Sequence, residues 1–154
     1  MARVHVWLPD SEHIGHTSIS LTGRYISFWP EGGANAKDIK IKRSHPGMLM
    51  DTLEDDIENE GNRYPITIDI PELNEAKILD YLKEITISMP HYQIARNNCS
   101  HIVAKALMAG TDKKPSFTPH AGFYTKNLII GRVFGLGIWT PHHILKFAKE
   151  LSNS

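Results

Sequence analysis

The chain has 154 residues, of which 41% are hydrophobic, which suits one folded core and is short for two. Its 17 basic residues balance its 17 acidic ones, so no basic excess favours a nucleic-acid or anionic-membrane partner. The single cysteine excludes an intramolecular disulfide. We therefore predict one domain spanning residues 1–154, without a nucleic-acid partner.

The N-terminal segment has a short strand pattern from Met1 to Trp7, interrupted by Pro9. It lacks the long apolar run of a signal peptide or a membrane span. We expect no integral membrane segment and synthesis in the cytoplasm without a signal peptide. Export would then require a specialised secretion system.

The next segment, residues 14–30, alternates like two strands joined by a tight turn at Thr22-Gly23, and predicts a β-hairpin. Pairing Leu21 with Arg24 divides the side chains between two faces. The predicted apolar face holds Ile19, Leu21, Ile26 and Phe28; the polar face holds His16, Ser18, Ser20, Tyr25, Ser27 and Trp29. A strand histidine after a glycine and among polar neighbours suits a general base, although a satisfied or solvated histidine is an open alternative.

The middle of the chain has fewer chemical signals. Residues 31–46 predict a loop with a short strand at 39–41, and the acidic stretch 51–61 predicts a solvated face rather than a calcium loop. Residues 64–70 alternate as a strand, and a helix is predicted from Pro71 to Ile85. Tyr92 follows, in the approach to the cysteine, and is a candidate to line a substrate cleft.

Cys99 opens an amphipathic helix that Asn97 or Asn98 can cap and Gly110 can end. The positive end of the helix dipole favours a thiolate at this position. The apolar residues Ile102, Val103, Ala106 and Leu107 share the face of Cys99, so the sulfur is predicted to point inward. Two interpretations stay open: a reactive nucleophile and an inert buried thiol.

The C-terminal part predicts a surface loop over residues 111–126, an apolar strand or loop over 128–139, and a last helix capped by Thr140 with Pro141 at its first position. The glycines of the apolar run lack the lysine and the strand-turn-helix context of a phosphate loop. The nine histidines show no metal-ligand spacing. We therefore expect no metal and no cofactor.

Two short motifs together resemble a known family: Gly-His opening a strand at residue 15 and Asn-Cys-Ser-His opening a helix at residue 98. This order, histidine before cysteine, is similar to that of circularly permuted papain-like cysteine enzymes, which include NlpC-type peptidoglycan peptidases and lecithin retinol acyltransferase-like proteins. A second set of motifs resembles thiol hydrolase domains of secreted bacterial effectors and toxins: Gly-His-Thr-Ser-Ile from residue 15, Tyr-Ile-Ser-Phe-Trp-Pro from residue 25 and Trp-Thr-Pro-His-His-Ile-Leu from residue 139. The resemblance covers nearly the whole chain.

The resemblance implies an α+β papain-like fold in which an antiparallel sheet bearing His16 packs against the helix bearing Cys99. It implies Cys99 as nucleophile and His16 as general base. Ser27 is the first candidate for the group that orients the imidazole, with Glu31, Glu12 and His13 as alternatives. Backbone and side-chain donors at the helix start, with Asn98 or Ser18, are candidates for an oxyanion hole, and Trp29 and Tyr92 for substrate contacts.

The function implied is cleavage of an amide bond, first of all in a peptidoglycan peptide, by an endopeptidase or amidase effector. A secretion-system carrier and a cognate immunity protein are the expected partners besides the substrate. Two alternatives stay open: a thiol acyltransferase, protease or deconjugase acting on host lipid or protein, and a catalytically degenerate module that binds without turnover.

Overall fold

The computed structural model describes residues 1–32, 44–93, 97–120 and 137–153. Five strands form one antiparallel sheet among these residues, in the order β4-β3-β2-β1-β5. The strands are β1 (Ala2–Trp7), β2 (His16–Leu21), β3 (Arg24–Pro30), β4 (Gly47–Met50) and β5 (Ile66–Ile70). The helices are α1 (Leu53–Asn59), α2 (Glu75–Ile87), α3 (Cys99–Ala109) and α4 (Pro141–Ser152). The chain is therefore α+β.

The predicted hairpin is confirmed: β2 pairs with β3 in the register Leu21 to Arg24 and Ile19 to Ile26. Gly23 turns the chain with a φ of 74°, in the left-handed region that glycine adopts without a steric cost. The apolar face of the hairpin is buried in the core, where α3 packs against β2 and β3. The fold thus brings the start of β2 close to the helix that Cys99 opens.

The helix and strand predictions hold best where start and stop signals are strong. Asn98 caps α3 and Gly110 ends it, and Thr140 and Pro141 begin α4, as predicted. The strand predicted at residues 64–70 is β5. The helix predicted from Pro71 begins later, at Glu75, because the Asn74 side chain accepts the backbone N–H of Lys77 and caps it there.

The acidic stretch 51–61 is a solvated face only in part: Asp51, Glu54 and Glu58 are exposed, but Asp56 and Glu60 are buried. It contains α1, capped by Thr52, and buries Asp56 completely on the polar side of the sheet. The strand β4 was not predicted either. The short strand expected at residues 39–41 and most of the apolar run 128–139 lie outside the described residues.

No helix in the described part of the chain is both long enough and apolar enough to cross a bilayer.

Candidate active site

His16 is held at the first position of β2 between two tryptophan rings. Its imidazole stacks on Trp29, with ring centroids 4.2 Å apart, and lies against Trp7 at 5.6 Å. The side chain is almost completely buried. The base candidate is therefore fixed by packing as well as by hydrogen bonds.

Gly15 is required where the chain enters β2. Its φ is +85°, and a Cβ at this position would lie 2.6 Å from the carbonyl oxygen of Trp7 and 3.1 Å from Pro141. Both the left-handed backbone and the close approach disfavour any side chain. The glycine of the Gly-His motif thus has a structural reason: it lets β2 start against β1 and α4.

Replacing Gly15 with alanine is expected to lower the free energy of unfolding by about 2–4 kcal/mol, because strain and overlap with Trp7 add. Gly23 is the matched control: its φ is +74°, but a Cβ added there would meet no atom within 4 Å. Gly23→Ala is expected to cost only about 1–2 kcal/mol, from the left-handed backbone alone. Urea denaturation of both variants checks this, and equal losses would contradict the packing argument.

Cys99 is the first residue of α3, and its side chain is 5% exposed. The sulfur lies 4.0 Å from the Ser100 hydroxyl oxygen and close enough to His16 and Thr17 for both to shift the pKa of the thiol. Thr17 follows His16 and Ser100 follows Cys99 in the sequence. The hydroxyls of Thr17 and Ser100 also contact each other, although the two residues are 83 positions apart. The fold thus brings together the two residues that the resemblance pairs, and the prediction of an inward-pointing sulfur is confirmed.

The start of α3 is held by a reciprocal cap. The Asn98 side-chain oxygen accepts the backbone N–H of His101 at 3.0 Å, and Nδ1 of His101 accepts the backbone N–H of Asn98 at 3.3 Å. Nε2 of His101 donates to the Gly137 carbonyl at 3.2 Å, and the Asn98 amide donates to the Trp139 carbonyl at 2.9 Å. Asn98 therefore fixes the start of α3, and its candidate role in an oxyanion hole stays a prediction.

A histidine in the first turn also caps the start of α4. The backbone N–H of Thr140 donates to Nδ1 of His143 at 3.2 Å, and the Thr140 hydroxyl lies 2.8 Å from the same nitrogen. Only a neutral imidazole can accept these bonds. Burial lowers the pKa of both His101 and His143 to about 4, which keeps the two caps intact at neutral pH.

Asp56 is the acceptor around which the polar face is organised. One carboxylate oxygen accepts the Ser27 hydroxyl at 2.8 Å and the Trp29 indole N–H at 2.7 Å. The other accepts the Tyr25 hydroxyl and lies 3.3 Å from Nε2 of His16. Tyr25, Ser27 and Trp29 donate hydrogen bonds to the buried carboxylate and the imidazole lies beside it, so its negative charge is compensated.

Ser27 lies between the imidazole and the carboxylate. Its oxygen is 2.7 Å from Nε2 of His16, and its own hydroxyl donates to Asp56, so it accepts the imidazole N–H. Nδ1 is then the nitrogen left to face Cys99. The order Cys99, His16, Ser27 with Asp56 behind them has the form of a nucleophile, a base and an orienting acid.

The electrostatics favour a charged pair. Burial alone would raise the pKa of the Cys99 thiol, but the charge and hydrogen bond of His16, with the Thr17 donors, lower it overall. Burial alone would lower the pKa of His16, but the negative charges of Cys99 and Asp56 raise it to about 10. These shifts favour a thiolate, an imidazolium and a carboxylate over their neutral forms.

The other predicted site residues have different contacts. Trp29, a candidate for substrate contact, instead stacks on His16 and donates to Asp56. The Ser18 hydroxyl is 2.7 Å from that of Tyr25, on the polar face of the hairpin. Tyr92 packs in the core against Phe28, with ring centroids 5.4 Å apart, instead of lining a cleft.

The alternative orienting groups do not reach the imidazole. Glu12 and Glu31 are exposed, and Nδ1 of His13 binds the carboxylate of Asp10 at 2.9 Å. Asp56, which does reach it, was missed among the acidic residues of 51–61. The available signal was spacing: Asp56 shares one helix face with Leu53 and Ile57, which is an unusual place for a carboxylate.

The described residues contain no cluster of histidine, cysteine, aspartate and glutamate that could hold a metal ion. In comparisons with known proteins, no family model, no curated protein and no solved structure matches this chain.

Proposed function

We propose that this protein is a cysteine hydrolase that cleaves amide bonds through Cys99 and His16. The observation that carries the proposal is the buried row of Cys99, His16 and Asp56 with Ser27 between the last two. A thiol with a lowered pKa, a base in contact with it and a third group that orients the base are the parts that thiol acyl transfer needs.

The proposed reaction has two halves. The Cys99 thiolate attacks the carbonyl carbon of the substrate, and the His16 imidazolium gives its proton to the departing amine, which leaves a thioester. His16, now neutral, removes a proton from water, which attacks the thioester carbonyl. The acid product leaves, and the thiolate and imidazolium are restored. The carboxylate of Asp56 stabilises the imidazolium at both ends of the cycle.

The contact of Asp56 with His16 favours an enzyme over a module that binds without turnover. Burying a carboxylate costs free energy, and a surface that only binds gains nothing from that cost at this position. The thiol acyltransferase uses the same residues and differs only in the acceptor of the acyl group. Product analysis separates it from the hydrolase.

The finer proposals rest on the resemblance of the sequence motifs. We propose a papain-like fold of permuted order, with the peptide of peptidoglycan as substrate and a bacterial effector or toxin as the biological role. A secretion-system carrier and an immunity protein are the partners that such a role requires. The antiparallel sheet against α3, with Cys99 at the helix start, is compatible with that fold.

The test is digestion of purified peptidoglycan with the protein and with Cys99→Ala, followed by mass spectrometry of the muropeptides. We expect cleaved stem peptides with the unmodified protein and none with Cys99→Ala. Expression with and without a periplasmic export signal is the companion experiment, and lysis is expected only on export and only with Cys99 present. Unchanged muropeptides from a toxic strain would reject the wall as substrate and redirect the search to protein or lipid.

A further inference from the structure

Three side chains at alternate positions of β3 bind the same carboxylate. Tyr25, Ser27 and Trp29 lie on one face of the strand, and all three donate hydrogen bonds to Asp56. Ser27 and Trp29 share one carboxylate oxygen. Tyr25 binds the other, which is also the oxygen that lies 3.3 Å from Nε2 of His16. Tyr25 therefore acts on the side of the carboxylate that faces the base.

We infer that Tyr25 is a positioning residue for the proposed reaction, whose hydroxyl holds the Asp56 oxygen that faces the His16 imidazole. The inference rests on the proposed function and adds one more residue to the row of Cys99, His16 and Asp56. Tyr25 does not touch the base. It acts through the carboxylate, which it keeps in place and in its charged form.

The direction of the hydrogen bonds follows from the charge of the carboxylate. A carboxylate only accepts, so the Tyr25 hydroxyl gives its one hydrogen to Asp56. The Ser18 hydroxyl, 2.7 Å from the Tyr25 oxygen, must then donate to that oxygen. Ser18 is fully buried, and this bond gives its hydroxyl the partner that burial requires. Ser18 thus fixes the direction in which Tyr25 donates.

The charges around Asp56 agree with this role. Burial alone would raise the pKa of Asp56, but contact with His16 and the hydrogen bonds of Ser27 and Tyr25 lower it overall. Burial and the Asp56 charge raise the pKa of Tyr25, so its hydroxyl keeps its proton and stays a donor. His5 on β1 also faces this group, with its ring centroid 6.0 Å from that of Tyr25, and burial lowers its pKa. Without the Tyr25 hydroxyl, the carboxyl would take up a proton at a higher pH, and a protonated carboxyl no longer stabilises the imidazolium.

The experiment follows the side-chain carboxyl carbons of aspartate by carbon NMR across pH 2–8, in protein labelled at that atom. Asp56→Asn lacks one signal and so assigns the Asp56 carboxyl. Tyr25→Phe keeps the ring and removes only the hydroxyl, and we expect it to raise the midpoint of the Asp56 signal by about one pH unit. Tyr64→Phe is the matched control, because it is the same substitution at a residue that is 84% exposed. It is expected to leave the Asp56 midpoint within about 0.2 pH units.

Phenylalanine leaves the Ser18 hydroxyl without its acceptor, which can unfold the variant. The double variant Tyr25→Phe with Ser18→Ala removes both hydroxyls and keeps the test available, with the same upward shift expected. A folded single or double variant with the original Asp56 midpoint would overturn the inference, and so would an Asp56 carboxyl that stays ionised in the variant down to pH 2. The proposed function fails separately. It would be overturned if Cys99 of the unmodified protein reacts with iodoacetamide with a midpoint at the ordinary thiol value of about 8.5, whatever the Asp56 signal shows.

Discussion

Replacing Asp56 with asparagine is expected to slow the acylation of Cys99 by about 10²–10⁴-fold. The Asp56 carboxylate accepts hydrogen bonds from Tyr25, Ser27 and Trp29. It also contacts the imidazole of His16. An amide would place two hydrogens among groups that are themselves donors, so at least one buried donor loses its acceptor. The imidazolium also loses the charge that stabilises it.

The same variant is expected to lose about 1–3 kcal/mol of unfolding free energy, measured by urea denaturation. Asp51→Asn is the matched control. It is the same substitution at an exposed residue just before α1, outside the site. It is expected to retain full reactivity and stability within about 0.5 kcal/mol. An Asp56→Asn protein that is folded and fully reactive would show that the carboxylate serves the fold alone.

The pH dependence of reactivity is expected to reflect the charged pair. The fraction of Cys99 thiolate rises with pH through a pKa that is lowered from the ordinary thiol value, so the alkylation rate is expected to reach its midpoint at a lower pH than in an ordinary thiol. The hydrolytic rate needs a proton on His16 for the departing amine and falls as the pH passes the His16 pKa of about 10. The rate of hydrolysis is therefore expected to have a bell-shaped pH profile. The rate of alkylation is expected to rise with pH and then to reach a plateau.

His16→Asn removes the cation beside Cys99, but the thiol stays buried. Burial then raises the pKa of the thiol. The alkylation midpoint is expected to move above about 8.5, and hydrolysis to fall by at least about 10²-fold. His13→Asn is the control, because His13 binds Asp10 at the surface and makes the same substitution outside the site. An unchanged midpoint in His16→Asn would mean that the helix end and Thr17, and not the imidazole, hold the thiolate.

The sequence predicted the parts of the site that local patterns determine. Alternation of polar and apolar residues around Thr22-Gly23 was enough for the hairpin register, and with it the shared face of His16, Ser27 and Trp29. Asparagine before the cysteine and glycine after the helix were enough for the bounds of α3. These signals act over a few residues, where propensity and capping dominate.

The missed parts depend on contacts between distant segments. Asp56 belongs to a short acidic helix, and only packing of α1 on the sheet makes that one carboxylate buried while Glu54 and Glu58 remain exposed. Trp29 was predicted to contact substrate, but its indole N–H donates to the buried carboxylate of Asp56. Periodicity shows which side chains share a face of a helix or strand. It does not show which elements pack together, so it cannot predict the partner of a buried polar group.

The cap of α3 ties the helix start at Cys99 to the segment that leads into α4. Asn98 and His101 donate to the carbonyls of Trp139 and Gly137, and Gly15 packs against Pro141. During synthesis on the ribosome, the cysteine and the histidine emerge well before these carbonyls do. A nascent chain therefore carries Cys99 and His16 before the carbonyls that hold the cap of α3 are available, so we expect the start of α3 to become ordered only after Gly137 and Trp139 have emerged.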